Sequence, residues 1–307
     1  MKRMVRWSGL TASLAAMGLM GSVATAATPT SISGMTAAVS GSQVQVSGSV
    51  AFGGQDPVMV AEDPAGDNLG GAETGALGLD IQKLYISQPV ASTNNLLFTM
   101  QLGGLTGGGI PEAFQYNWDI AVDGGADAGG ANWSIKSMRS GQGTQAGNQG
   151  PWAALTRCVP DPSSPTGGYT CSTVTPLLAV TYDQTAGQIQ ITVPLSRISA
   201  KAGSTISAWA RNGQPVWIRT SAAGATTGFV TVDDTSHDDF MVPKKTVDLG
   251  IARAGDPIDF KTPATVPTAS TSFSGSVAKP VTVGAHDVAA RACFGDNCSV
   301  ASLSLTL

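Results

Sequence analysis

The chain has 307 residues, 12% of them charged, with 38 glycines and 17 Lys and Arg against 21 Asp and Glu. A net negative chain without basic clusters lacks what neutralises phosphates, so nucleic acid is excluded as an expected partner. The acids are 18 Asp and three Glu (Glu62, Glu73 and Glu112). Asp bonds the local backbone in turns whereas Glu favours helices, and with abundant Gly, Ser, Thr and Val the composition reads as all-β.

The first residues read as a leader. Met1-Lys2-Arg3-Met4-Val5-Arg6 is a basic start, Leu10 to Val23 a short apolar run, and Ala24-Thr25-Ala26 a small-x-small cleavage site. Residues 1–26 are thus expected to be a secretory signal peptide, cut before Ala27. Its loss leaves 14 basic against 21 acidic residues, a net charge of −7. The apolar run is too short and too interrupted by Gly and Ser to span a bilayer, and no second span follows. The expected location is extracellular, with no membrane span in the mature form.

Residues 27–42, rich in Thr, Ser and Gly, are expected to be a flexible N-terminus. Gln43 to Phe52 is the first strand, with Val44, Val46, Val50 and Phe52 on one parity. The run Glu62-Asp63-Pro64-Ala65-Gly66-Asp67-Asn68 predicts an acidic turn, and Leu79 to Ile86 and Leu96 to Leu102 predict two adjacent antiparallel strands. Gly103 to Gly109, five glycines in seven residues, is a connector.

In Phe114 to Asp123, Phe114, Tyr116, Trp118, Ile120 and Val122 share one face. That period of two means one face buried and one wet. Trp133-Ser134-Ile135-Lys136 is the expected hairpin partner. Between Cys158 and Cys171 lie prolines and glycines, which predict a protruding loop rather than a central strand. Leu177 to Tyr182 and Gln188 to Val193 flank a turn at Asp183 to Gly187, and Leu195 to Ala202 reads as a helical turn or two. Asn212-Gly213 marks a hairpin between Ser204–Ala210 and Val216–Thr220. Asp233-Asp234-Thr235-Ser236-His237-Asp238-Asp239 is the densest charge in the chain.

Residues 244–267 read as a polar, Pro-containing linker. Beyond it, Thr271–Val277, Pro280–Val283, Val288–Phe294 and Ser299–Thr306 are short strands of a small module, residues 268–307. Forty residues are marginal for an independent core. Ser47-Gly48-Ser49-Val50-Ala51 recurs as Ser274-Gly275-Ser276-Val277-Ala278. This is either chance or a sign that strands from 30–60 complete one immunoglobulin-like module into which the larger one is inserted. The expected fold is an all-β antiparallel β-sandwich, residues 43–243, with a second, smaller immunoglobulin-like β module.

All four cysteines follow the leader. Sequence proximity pairs Cys158 with Cys171 and Cys293 with Cys298, which suits an exported chain. Zinc is the rival reading, but neither pair has the two-residue spacing of a zinc knuckle.

On Asp63-Pro64-Ala65-Gly66-Asp67, Leu79-Asp80-Ile81 with Tyr85, Leu96 to Leu102, and Ile189 to Val193 followed by Pro194-Leu195-Ser196, the large module resembles a known group. It is similar to secreted bacterial β-sandwich proteins of the DOMON or family-9 carbohydrate-binding-module type. The resemblance implies binding of sugars, haem or calcium, or a spacer role. Haem-binding members use Met and His ligands, and the histidine of this module, His237, lies in an acidic loop, a departure that argues against haem.

Calcium takes six to eight oxygens from adaptable loops, so Asp63 and Asp67 together with Asp233 and Asp234 form a candidate Ca²⁺ site if their loops converge. The alternative is that these aspartates cap solvated turns. Trp209 and Trp217 share strand faces with polar residues and are the candidate platforms for glycans; the alternative is that they belong to the core. His286-Asp287 reads as a surface strand end. No GxSxG, HExxH or Walker pattern occurs. The sequence therefore points to a secreted non-catalytic binding or structural protein, calcium-stabilised and carbohydrate-binding, with glycans or extracellular proteins as partners. The alternative is a secreted hydrolase with an Asp-based site.

Overall fold

The computed structural model describes residues 27–63, 65, 80–91, 94–104, 115–123, 132–140, 152–164, 169–206, 218–225, 229–235, 240–266 and 271–307. Among them the regular structure is strand, apart from one 3-10 turn at Leu195–Ile198. Ser199 ends that turn with φ 54°, so the predicted helical passage stops short of Ala202.

The small module is assembled from both ends of the chain. β1 (Ser31–Ser40) and β2 (Gln43–Ala51) form a sheet with β17 (Ser272–Ala278), in the order β1-β2-β17. Facing it is a sheet of β15 (Lys245–Arg253), β16 (Thr262–Pro263), β18 (Ala285–Phe294) and β19 (Asn297–Thr306), in the order β16-β15-β18-β19. Lettered A to G in sequence, the strands fall ABE against DCFG. This is the immunoglobulin alternation with the fourth strand moved to the second sheet. Val44, Val46, Val50, Val247, Leu249, Phe273, Val277 and Val288 fill the space between the sheets.

Three expectations from the sequence differ from the structure. Residues 27–42 are not a flexible end, because β1 pairs with β2 from Ser31↔Ala51 to Ser40↔Gln43. Residues 244–267 are not a linker throughout, because β15 is a central strand with Val247 and Leu249 buried. Lys and Pro before it and Gly, Asp and Pro after it mask a short alternation whose apolar members face the core. Pro280 to Val283, read as a strand, is a bend with Val281 and Val283 fully in solvent.

The recurring Ser-Gly-Ser-Val-Ala segments are neighbours. They lie in β2 and β17 with Ser274 opposite Ser47 and Phe273 opposite Gly48. A Cβ on Gly48 would stand 2.7 Å from the Phe273 ring, so only a missing side chain admits the ring there.

Between β2 and β15 the chain builds the large module. β3 (Gln55–Glu62), β4 (Ile81–Gln88), β5 (Asn95–Leu102), β6 (Gln115–Asp123), β7 (Asn132–Ser140), β8 (Trp152–Pro160), β9 (Tyr169–Asp183), β10 (Gln188–Pro194), β12 (Ile218–Ala225) and β13 (Phe229–Asp234) form one antiparallel sheet. Its order is β13-β12-β6-β7-β8-β9-β10-β5-β4-β3. β11 (Thr205–Ile206) and β14 (Phe240–Met241) make a separate two-stranded ribbon. The expected pairing of β4 with β5 and the expected partnership of β6 with β7 are both present.

Ten strands do not stay flat. β9 turns the corner: its first part, through Leu178, pairs with β8, and its last part, from Ala179, pairs with β10. The two halves thereby face each other, and β12 comes against β4. One core lies between them, with Ile81, Leu84, Ile86, Leu96, Phe98, Met100, Ile189 and Ile191 from one half and Ile120, Trp133, Ile135 and Leu155 from the other.

Both disulfides join residues that face each other on paired strands. Cys158–Cys171 links β8 to β9 with Cα atoms 4.0 Å apart, and Cys293–Cys298 links β18 to β19 at 4.1 Å. Narrow antiparallel pairs supply about that spacing. All four thiols are consumed, which removes the zinc reading.

The modules are joined through Asn297 at the start of β19. Its side-chain oxygen accepts the Thr30 N–H at 3.0 Å, and its amide donates to Thr28 O at 2.9 Å and Gly54 O at 2.8 Å. Gln55 Oε1 accepts the Asp296 N–H at 3.2 Å. Gly53 lies against the Thr28 carbonyl with no room for a side chain.

Two outcomes follow from this packing. Gly48→Ala should destabilise the protein by about 1–3 kcal/mol in a urea titration, because the methyl group displaces Phe273 from the core. Replacing Cys158 and Cys171 by Ser opens a loop of sequence separation 13 and should cost about 3 kcal/mol in the chain-entropy model, read by the same titration.

Candidate functional site

Strand alternation decides what the large module shows to solvent. On β4, β5, β9 and β10 the apolar set points inward, so the intervening residues take the outer face of the β9-β10-β5-β4-β3 half, where Gln188, Thr99 and Ser87 are nevertheless buried among their neighbours. Register sorts them into three rows across the strands. The first is Asp183, Gln188, Gln101, Lys83 and Glu62; the second is Thr181, Gln190, Thr99, Tyr85 and Met59. Ala179, Thr192, Leu97 and Ser87 make the third.

The middle of this face is a chain of carboxamides. Gln101 Nε2 donates to the Ala186 carbonyl at 2.9 Å, Gln188 Nε2 donates to Gln101 Oε1 at 2.9 Å, and Gln190 Nε2 donates to Gln188 Oε1 at 3.4 Å. The direction is set at the root. A backbone carbonyl can only accept, so Gln101 must present its NH₂ there and its oxygen to Gln188, and each following amide is oriented in turn. Gln188 is 1% exposed and Thr99 7%. The outermost acceptor, Gln190 Oε1, stands at the half-buried end of the relay in the row of Thr99 and Tyr85. Aligned hydrogen bonds polarise one another, which strengthens a terminal acceptor.

Charge flanks the amides without entering the row of Gln190. Lys83 Nζ lies 3.4 Å from Glu62 Oε1 at the β3 end, both substantially exposed, so this pair adds little stability. Asp183 Oδ1 accepts the Ala186 N–H at 2.9 Å and shapes the β9–β10 turn that supplies the root carbonyl. Such a face can exchange hydrogen bonds with a ligand rich in hydroxyl groups, with Tyr85 supplying an aromatic surface.

The residues singled out from sequence are placed unequally. Asp63 follows β3 and its N–H donates to Gln82 O at 3.0 Å. Asp67 lies outside the described residues. Asp233 and Asp234 end β13, where only their backbone is described. β3 and β13 are the two ends of the strand order, so no backbone pairing joins the two acidic segments. Among the described residues no group of three or more His, Cys, Asp or Glu is arranged to hold a metal ion. Trp209 and Trp217 also lie outside the described residues, as does the Asn212-Gly213 turn.

His286 differs from expectation. It is 1% exposed, with Nδ1 3.1 Å from Gly284 O and Nε2 3.1 Å from Thr282 Oγ1. The carbonyl requires a proton on Nδ1, and Nε2 shares a hydrogen bond with the Thr282 hydroxyl. This histidine holds the Val281–Gly284 bend against the core.

At the β8–β9 tip, Asp161 Oδ1 accepts from Ser163 Oγ at 2.6 Å and from its N–H at 2.9 Å. Those bonds hold the Asp161 carboxyl below its ordinary range. This makes the tip a local Asx turn rather than a ligand site.

Sequence reasoning missed the glutamines because it weighed charged and aromatic residues. The signal was present in Gln188-Ile189-Gln190-Ile191, where amides take the outward parity of a strand whose inward parity is isoleucine.

A calcium ion shared by the Asp63 and Asp233 segments would raise the melting temperature on adding Ca²⁺ and lower it with EDTA, since a native-state ligand stabilises by mass action. An identical melt in both conditions assigns those aspartates to turns. Compared with protein-family models, curated proteins and solved structures, the chain matches none.

Proposed function

We propose that this chain is an exported, non-catalytic binding protein whose large sandwich holds a carbohydrate along the outer face of β9, β10, β5, β4 and β3. The observation that carries this reading is the directed amide relay ending on Gln190 Oε1, set in one row with Thr99 and Tyr85. Sugars present hydroxyl groups that both donate and accept, and a prearranged row of amide and hydroxyl groups meets them at little ordering cost. Two disulfides suit an oxidising compartment, as does the secretory leader read in residues 1–26. The DOMON and family-9 carbohydrate-binding-module pattern of the sequence includes sugars among the ligands that it implies.

A glycan array probed with the mature protein should retain it on at least one polysaccharide. Tyr85→Ala and Gln190→Ala should each weaken that binding about tenfold, since a lost ligand contact costs on the order of 1.4 kcal/mol, and Tyr85→Ala should leave the thermal melt near that of the parent. An array with no bound glycan, or affinity unchanged in both variants, refutes the assignment.

A further inference from the structure

The segment from Ala27 to Thr30 is built into the joint between the modules. Thr28 O accepts both the Asn297 amide at 2.9 Å and the Gly54 N–H at 3.0 Å, and Thr30 is buried with its N–H on Asn297. At the head of this segment the Ala27 nitrogen lies 2.8 Å from Asp56 Oδ1. Ala27, Asp56 and Asp296 line one cleft between the modules; the described residues lining that cleft include no Lys or Arg, and Lys244 lines the adjoining one. Two carboxylates therefore share a cleft, and the backbone nitrogen of Ala27 donates to one of them, Asp56. Directly before it stands Ala24-Thr25-Ala26.

We propose that hydrolysis of the Ala26–Ala27 peptide bond makes Ala27 the mature N-terminus, and that its α-ammonium is the counter-ion of Asp56 that completes the joint. Water adds across the amide: Ala26 leaves as a carboxylate and Ala27 keeps the nitrogen as an amine. An α-amine has an ordinary pKa of about 7.7–8, so it is a cation at neutral pH. A single neutral N–H donor to Asp56 thereby becomes a charged group with three donors, and charge-assisted bonds of this kind are roughly twice as strong as neutral ones. Processing and module docking are coupled through one atom. A chain still carrying its leader has only the weaker bond at this position, and a chain trimmed past Ala27 has none.

The sign of the pH dependence follows. Asp56 favours the ammonium and raises its pKa, so the pair is complete below about pH 7.7 and is lost as pH rises through the raised value. Lys244 lines the adjoining cleft, and its like charge would oppose that rise.

This inference rests on the exported reading, and the two are separated by measuring different things. The intact mass of the protein recovered after export should correspond to a chain starting at Ala27; a different start overturns the processing step. Amine-selective acylation at about pH 7.5, followed at the Ala27 α-amine by peptide mass spectrometry, should run about three- to tenfold slower in the parent than in Asp56→Asn, because the partner lowers the free-base fraction. Retaining Ala26 as the first residue should restore the faster rate at the displaced amine. Asp56 is at the surface end of the cleft, so circular dichroism of Asp56→Asn should match the parent. Equal acylation rates in parent and Asp56→Asn overturn the ion pair whatever the glycan array shows.

Discussion

Both sheets of the small sandwich depend on β2 meeting β17 in register. Val44 lies opposite Val277, and Phe273 lies over Gly48. Without that pairing β1 and β2 are an isolated hairpin, which is marginal in water, and the sheet around β15 has an uncovered apolar face. The partners are separated by the whole large module, yet closing a long loop costs only about 0.6 kcal/mol more for each doubling of its length. The large module also shortens the distance. Its first strand starts at Gln55 and its last described segment ends at Val242, and these two residues line the same cleft. A folded insert thus presents its two ends side by side, and Gly53, Gly54 and Asn297 tie them to the turn of β18 and β19.

The outer face of the large module is ordered by the same core that it does not touch. Isoleucine at 189 and 191 and Phe98 and Met100 opposite them fix the register of β10 on β5. A slip of one residue would turn all four out of the core and the glutamines into it, which is why the register is well specified. Once register is fixed, Gln188 has Gln101 at its side, and the Ala186 carbonyl sets the direction of every amide that follows. Apolar burial therefore determines a polar arrangement on the opposite side of the sheet. The relay needs no charge, and the charged residues of this face are left to its edges.

How much of this was legible depended on whether the signal was local. Alternation gave several strands of the large module, such as β5 and β10, because each carries at least three inward apolar residues in a row of period two, while β3 and β13 were not anticipated. The short spacing between cysteines gave both disulfides, since each pair sits across a hairpin. β15 was hidden because Val247 and Leu249 are set among Lys, Asp, Gly and Pro, and a composition window averages them away. β1 was hidden because its burial pattern is largely exposed; it is held by backbone pairing with β2 and by the edge of β19 rather than by an apolar stripe. Gln55, Asp56 and Asn297 carry no local signal, because their partners lie at the other end of the chain, as the bonds of Asn297 to Thr28 and Thr30 illustrate.

The position of β1 beside β19 has a mechanical consequence. Thr30 is bonded to Asn297, so β1 begins at the end of the small sandwich where β19 also begins, and Leu307 lies at the far end of β19. Tension applied between the two ends of the sandwich pulls β1 along its axis against β2, and β19 along its axis against β18. Hydrogen bonds loaded in shear share the force, whereas those at the end of an unzipping hairpin bear it one at a time. The large module branches off between β2 and β15 and lies outside that load path. A ligand held on its outer face would feel no strain until the small sandwich itself gave way.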